Sequence, residues 1–311
     1  MIRFGLIGGG WRSEFYIRIS AALPELFTLT GVYLRNPDTM RRFEKKYPHI
    51  PLFGSLSPLL DTKPDFLVLA VSKAEGSEEI IRLADMGLAL LAETPAGNTV
   101  EATEALLAAE KPFWRVQVAE QFHLMPRFRA IKSIIDEGKI GEVTHVTLSC
   151  CHDYHAVSLL RYLLDATGLP EVSGITLTDR LTRHSGRYGD IPPEEAECER
   201  KTALLHWGGK TAFYDFSKEQ YFSLIRRKSI IVQGVKGEIT EEACTYIEGD
   251  KPTTLTLSPL PHFKNATLDE DEQAIALCLI KMDEYLKTGK EFYPLKRACQ
   301  DALIAYRLGG K

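Results

Sequence analysis

From residue 1 to about 121, short β-branched or leucine-rich runs alternate with stretches of helical periodicity. The pattern predicts strands at Ile2 to Ile7, Phe27 to Leu34, Pro51 to Phe53, Phe66 to Val71, Leu88 to Ala92 and Trp114 to Ala119. Between them it predicts helices from Trp11 to Leu23, Asp38 to Tyr47, Glu75 to Met86 and Val100 to Glu110. A helical turn falls at Ser57 to Leu60, and Gly87 stops the third helix. The run Phe66-Leu-Val-Leu-Ala-Val71 is apolar throughout, as suits a central parallel strand covered on both faces. Strand and helix alternating at this spacing predict an α/β domain over residues 1–121, a doubly wound parallel sheet with right-handed crossovers.

After Gln121 the grammar changes. A helix from Met125 to Asp136 exits through Gly138-Lys-Ile-Gly141, and runs of alternating polarity follow without intervening helices. They predict strands at Val143 to Cys150, Gly174 to Leu181, Lys201 to Trp207, Thr211 to Phe216, Phe222 to Arg226, Ser229 to Gln233, Glu238 to Ile247 and Thr253 to Leu257. One helix around His155 to Leu164 interrupts them, and two terminal helices run from Asp269 to Lys287 and from Pro294 to Leu308. The expectation is an α+β domain over residues 122–311 built on a large, mostly antiparallel open sheet. Asp269 to Glu272 place negative charge in the opening turn of the first terminal helix, complementing its dipole. The stretch Ile191-Pro-Pro-Glu-Glu-Ala-Glu-Cys-Glu199 reads as a mobile surface loop, and Arg180, Arg183, His184, Arg187 and Tyr188 as a basic, aromatic-bearing loop.

Composition narrows the class. Apolar residues at 44% and charged residues at 26% exclude a disordered or fibrous chain. A net charge of −4 with only short, acid-interrupted basic clusters argues against nucleic acid as a partner. No apolar run approaches the roughly 20 residues a membrane span needs, so no membrane partner is expected. A strand entered at Ile2 leaves no room for a signal peptide. Six cysteines without a C-x-x-C pair point to reduced thiols, and a cytoplasmic location is expected. Cys150, Cys151, His152 and His155 lie in one short stretch with no distant partner pair, so no metal site is expected.

The candidate chemistry begins at Gly8-Gly9-Gly10-Trp11-Arg12-Ser13, between the first strand and the first helix. The first glycine permits a tight turn, the second lets the backbone approach a pyrophosphate, and Ser13 fills the small third position. The helix N-terminus then offers N–H groups to the phosphates, the arrangement of a dinucleotide-binding Rossmann domain. Selectivity is written at the end of the second strand, where Leu34 and Arg35 stand in place of an acid. Without an acid to bind the ribose hydroxyls, and with a guanidinium at hand, NADP is expected over NAD. The segment His152-Asp153-Tyr154-His155 gathers two imidazoles, an acid and a phenol, the residue types of acid/base chemistry.

With these pieces the chain resembles the Gfo/Idh/MocA oxidoreductases nearly end to end. The resemblance rests on the glycine turn, Pro64 to Val71, Leu91-Ala-Glu-Thr-Pro-Ala96 and Val116 to Pro126. It continues through Ile134 to Val143, His155 to Leu164, Asp269 to Ile275, Gly289-Lys and Asp301-Ala-Leu-Ile. It implies a nicotinamide cofactor, a small-molecule, sugar-like substrate, and a homodimer or homotetramer built through the C-terminal sheet. Cofactor contacts are expected from Gly8, Gly10, Trp11 and Arg12, from Leu34 and Arg35, and from Val71, Ser72, Glu93, Thr94 and Gln121. His155 stands at the family's catalytic position, with Tyr154 or Asp153 to assist it; His123, His152 and Arg183 are expected to meet substrate.

Two departures stand out. The family's Glu-Lys-Pro is Glu93-Thr94-Pro95 here, and a threonine hydroxyl is a poor proton acceptor that carries no charge. The acid of the family's Asp-x-x-x-His/Asn motif falls at Cys151. The resemblance therefore leaves two readings: an NADP-preferring oxidoreductase, or a catalytically weakened dinucleotide- or metabolite-binding regulatory protein on the same fold. One subtype of the first reading is a reductase in which hydride attacks a conjugated system, which requires only a weak acid near the acceptor; biliverdin reductases resemble the family and likewise lack the lysine.

Overall fold

The computed structural model describes residues 1–186, 189–263 and 267–310. The chain forms two compact units: residues 1–125 with 261–302, and residues 126–260 with the segment from 303 onward. Residues 261–302, expected within a second domain over 122–311, thus belong to the first unit.

The first unit holds strands β1 (Ile2–Ile7), β2 (Phe27–Tyr33), β3 (Leu52–Phe53), β4 (Phe66–Leu69), β5 (Ala89–Ala92) and β6 (Arg115–Val118). Helices α1 (Trp11–Ala22), α2 (Pro37–Lys46), α3 (Leu56–Asp61), α4 (Lys73–Asp85) and α5 (Val100–Ala109) connect them. The strands lie in the order β3-β2-β1-β4-β5-β6, all pairs parallel. This is the doubly wound arrangement, whose order reverses between β1 and β4. Every residue of β4 and β5 is buried, which their unbroken apolar sequence anticipates. Asn36 starts α2 by accepting from the backbone N–H of Asp38 (2.8 Å) and Thr39 (3.1 Å), with Pro37 at the first helical position.

The second unit begins with α6 (Pro126–Asp136), β7 (Val143–Ser149) and α7 (Asp153–Leu164). Its sheet adds β8 (Glu171–Gly186), β9 (Gly189–Trp207), β10 (Lys210–Ser217), β11 (Ser229–Gly234), β12 (Gly237–Ile239), β13 (Ala243–Glu248) and β14 (Lys251–Thr256). The eight strands run β14-β13-β12-β11-β7-β10-β9-β8, antiparallel except for the β7–β10 pair. One face buries Val146, Leu148, Leu205 and Tyr214, while the other leaves Ile175, Leu177, Leu204 and Phe213 exposed. Two helices close the chain, α8 (Glu270–Thr288) and α9 (Leu295–Arg307). In α8, Asp269 accepts from the Glu272 N–H (2.8 Å) and the Glu272 carboxylate accepts from the Asp269 N–H (3.2 Å), a reciprocal capping box.

Four readings are corrected. The supposed mobile loop Ile191–Glu199 lies inside β9, and Arg180, Arg183 and His184 lie inside β8 rather than in a loop; Arg187 and Tyr188 fall outside the described residues. The two strands form a long ribbon in which Arg180 faces Glu197 and Arg183 faces Glu194, with an Arg180–Glu195 ion pair. Opposite charges across the ribbon favour the pairing. Pro192 and Pro193 are tolerated because this stretch pairs on one side alone, β10 meeting only Arg200 onward. Phe222 to Arg226 is no strand: a 3₁₀ turn, Lys218–Phe222, precedes an irregular segment. Glu238 to Ile247 is two strands, β12 and β13, joined by a turn in which Thr240 N–H donates to the Ala243 carbonyl (2.8 Å).

Candidate functional site

The strand-order reversal sets the ends of β1 and β4 side by side, with Ala70 N–H donating to the Ile7 carbonyl (2.8 Å). The glycine turn leaves β1 there. Gly8 has φ +118°, and a Cβ on it would lie 2.2 Å from the Ala70 carbonyl oxygen, so no other residue fits. Gly9 is crowded: a Cβ there would lie 2.4 Å from Thr39 Cγ2 and 2.7 Å from Leu34 Cδ2, so those side chains would have to shift. Gly10 is different. It has ordinary backbone angles (φ −78°, ψ 178°), and a Cβ there would meet nothing within 4 Å. No intramolecular contact demands a glycine at the mouth of α1. The helix begins there with no side-chain cap, as an anion-accepting N-terminus would. Ser13 is fully buried, filling the small position against the sheet.

Leu34, at the end of β2, is 3% exposed and turned into the core. Arg35 pairs with Glu75 (2.8 Å) and Glu79 (3.7 Å) of α4, and Ser72 Oγ donates to the same Glu75 carboxylate (2.8 Å). The sequence did not show this engagement of Arg35. Nor did it show Arg42 of α2, whose Nη2 donates to the Gly9 carbonyl at 2.6 Å.

A second cluster gathers residues from distant parts of the first unit. Glu93, just past β5, accepts from Tyr16 Oη (2.5 Å) and from the Thr94 N–H (3.3 Å), and its Oε2 lies 3.5 Å from Arg12 Nε. Arg12 also binds Asp271 (3.0 Å), which accepts in turn from Gln121 Nε2 (3.0 Å). The Arg12 guanidinium covers the Trp11 and Phe15 rings, at 4.7 and 4.8 Å from their centroids. Burial alone pulls Arg12 down, but Glu93 and Asp271 outweigh it and hold the guanidinium above its ordinary range. Burial, then Glu93, push the Tyr16 hydroxyl up, so it stays a donor. Arg12, Glu93 and Gln121, expected at the cofactor, are thus one group joined through Asp271 by ion pairs and hydrogen bonds. The sequence reading missed Tyr16 and Asp271; Asp271 was visible only as one of four acids suited to a helix start. His123 is buried and stacked on Tyr293 (5.5 Å, 25°), and burial lowers it to about 4, so it is neutral near pH 7.

In the second unit the four candidate positions open α7. The His152 N–H donates to Tyr221 Oη (3.0 Å), and its Nδ1 lies at the same distance from that oxygen. The His152 ring is edge-on to His155 (5.2 Å), which in turn touches Tyr154 (5.5 Å). Asp153, at φ +40°, sends its N–H to Tyr214 Oη (2.9 Å), while its carboxylate pairs with Lys201 (3.0 Å) and lies 3.8 Å from Lys218. Burial raises Tyr214 and Tyr221 well above the phenolic range, so both remain protonated. Asp153 is therefore an ion-paired carboxylate, whereas His152, Tyr154 and His155 form a contiguous ring cluster. Arg183 stands apart from that cluster in its contacts, pairing with Glu219 (3.1 Å) over the Phe222 ring (5.3 Å).

The parallel order, the glycine turn at its reversal and the capless helix define a nucleotide-binding Rossmann unit. Residues 2–119 match the Gfo/Idh/MocA family model described as "Oxidoreductase family, NAD-binding Rossmann fold". YteT of Bacillus subtilis (strain 168), named as an oxidoreductase, is 29% identical over 143 residues, 43% of this chain but only 33% of YteT's length. Solved structures share the fold across nearly the whole chain. An oxidoreductase from Agrobacterium radiobacter, in complex with NAD+, L-tartaric acid and magnesium, has a TM-score of 0.77 at 16% identity, covering 100% of this chain and 96% of its own. Levoglucosan dehydrogenase, in complex with NADH and levoglucosan, reaches 0.76 at 16% identity, covering 99% and 96%. An NAD-binding oxidoreductase from Klebsiella pneumoniae reaches 0.74 at 15% identity, covering 98% and 95%. Among the described residues no helix is long and apolar enough to cross a membrane.

Proposed function

We propose that the protein is an NAD(P)-dependent oxidoreductase, preferring NADP, that acts on a small polar, sugar-like substrate. The observation that carries this reading is Gly10: a glycine that its own protein does not require, at the mouth of a capless helix, where a pyrophosphate would need the space. The absence of an acid at Leu34-Arg35-Asn36 favours the phosphorylated dinucleotide. When bound, the dinucleotide supplies or accepts the hydride. Gly8, Gly10, Trp11 and the Val71-Ser72 segment are its proposed backbone cradle, with Leu34 and Arg35 at its ribose end. The Arg12–Glu93–Asp271–Gln121 group fixes the position of Thr94, whose hydroxyl donates where a lysine would exchange a proton. His155, in contact with His152 and Tyr154, is the proposed carrier of the substrate proton. Asp153 holds Lys201 beside this ring cluster, while His123, as a neutral group, and Arg183 are proposed substrate contacts. The substrate class is carried over from the neighbours, whose bound ligands are tartaric acid and levoglucosan. Exposed Ile175, Leu177, Leu204 and Phe213 support self-association through the open sheet face, and six free thiols support a cytoplasmic location.

Thr94 and the ion-paired Asp153 favour a second reading, a protein that binds the dinucleotide and a metabolite without turnover. The two are separated by titrating NADPH into the protein by fluorescence. Sugars, inositols, hydroxy acids and linear tetrapyrroles are then screened at the nicotinamide absorbance band. Turnover of one class supports the enzyme; binding with no turnover of any class supports the regulatory reading and overturns the first.

A further inference from the structure

We propose that Arg42 is the residue that selects the phosphorylated dinucleotide, by meeting the adenosine 2′-phosphate from the carbonyl of Gly9. The proposal deepens the cofactor reading above and rests on it. Arg42 lies on α2, three residues after Thr39, so both side chains stand on one helix face. That face meets the glycine turn: Thr39 packs where a Gly9 side chain would be, and Arg42 Nη2 donates to the Gly9 carbonyl at 2.6 Å. Fully buried Phe43, next to Arg42 in sequence, anchors the helix, with the Arg42 guanidinium 5.4 Å from its ring centroid. An exposed arginine is thus tethered to the backbone of the phosphate cradle itself.

Charge separates Arg42 from its neighbours. Arg12 is tied to Glu93 and Asp271, Arg18 to Glu272, Arg35 to Glu75 and Glu79, and Arg41 to Asp38. Arg42 has no carboxylate partner among the described residues. An anion arriving at Arg35 meets a guanidinium already held by two carboxylates, Glu75 and Glu79, the latter shared with Arg82, so the cluster carries no net positive charge. At Arg42 it meets an uncompensated guanidinium with several N–H groups still open after the bond to Gly9. The geometry also suits the ligand. In this fold the pyrophosphate sits at the glycine turn and the adenosine ribose reaches from there to the end of β2. The Gly9 carbonyl lies along that path, and buried Leu34 at its end offers nothing to a ribose hydroxyl. A 2′-phosphate brings charge that Arg42 can bind by charge-assisted hydrogen bonds, while the 2′-hydroxyl of NAD brings none.

The test measures equilibrium dissociation constants for NADPH and NADH by fluorescence titration, with thermal unfolding midpoints as a check on folding. The proteins are wild type, Arg42→Ala, Arg42→Lys, Arg35→Ala and the charge-matched control Arg41→Ala. Arg42→Ala is expected to weaken NADPH by roughly 10- to 100-fold while leaving NADH within about twofold. Lysine should restore part of the loss, Arg35→Ala should lose less than Arg42→Ala, and Arg41→Ala should match wild type. The NADPH advantage of wild type should shrink as salt is raised, because the site is exposed. Equal losses for NADPH and NADH in Arg42→Ala, or a selective NADPH loss in Arg35→Ala alone, would overturn the assignment. Wild type that binds NADH but not NADPH refutes this inference and leaves the dinucleotide reading standing. Wild type that binds neither refutes the dinucleotide reading itself.

Discussion

Replacing Gly10 by alanine should separate folding from cofactor binding, because the structure gives that glycine no intramolecular task. The added Cβ meets nothing within 4 Å, and φ −78°, ψ 178° is open to alanine. Two small effects oppose each other in stability. Alanine lowers the entropy of the unfolded chain, a gain of about 0.4–1 kcal/mol. It is also a poorer N-cap than glycine, by an amount of the same order. The net change should stay within about 1 kcal/mol, a shift of no more than roughly 4 °C in Tm for a chain of this size. Binding is another matter. A methyl group at the helix mouth displaces the pyrophosphate from backbone N–H donors, and a hydrogen bond to a charged group contributes about 1.5–3 kcal/mol. That corresponds to roughly a 10- to 150-fold rise in the Kd for NADPH. Gly8→Ala supplies the contrast. Its Cβ would sit 2.2 Å from the Ala70 carbonyl oxygen at φ +118°, so backbone strain and overpacking together should destabilise the fold by about 2–6 kcal/mol. Fluorescence titration and thermal unfolding of both variants read the two effects separately. A Gly10→Ala protein that binds NADPH as wild type does would refute the claim that this space belongs to the cofactor.

Three further outcomes follow from the same geometry. His155→Ala should lower kcat by about 100-fold or more while leaving the Kd for NADPH nearly unchanged, as loss of an acid/base group does; parallel losses in both would remove its assigned role. Thr94→Lys should raise the rate of alcohol oxidation in steady-state assays, and no gain would mean that position 94 does not serve the reacting centre. For His123, burial lowers the pKa from 6.5 to about 4. The unfolded chain takes up this proton first as pH falls, so the stability present above pH 6.5 is lost progressively down to about pH 4. The loss amounts to roughly 3 kcal/mol. His123→Phe, which keeps a ring against Tyr293, should flatten that limb of the stability–pH curve measured by urea unfolding.

The alternation of apolar strands and amphipathic helices made the first sheet legible down to the glycine turn, because each signal there is local. Phe66 to Leu69 had to be a central strand, and a glycine run after β1 had to be a turn. The ribbon of β8 and β9 was not legible. Pro192, Pro193 and the acids after them have the composition of a loop, and only the facing arginines across the register make them a strand. The site was readable as a set of residues but not as a set of partners. Tyr16 and Glu93, or Arg12 and Asp271, meet only through the winding of the sheet. Arg35 looked like the phosphate-binding arginine from its place after β2. Its pairing with Glu75 and Glu79 depends on how α4 lies over the sheet, which no local pattern encodes.

Dinucleotide binding is the central claim. Calorimetric titration of the wild-type protein with NADPH, and in parallel with NADH, should give saturable binding at one dinucleotide per chain, with NADPH the tighter. No saturable binding of either form would contradict it.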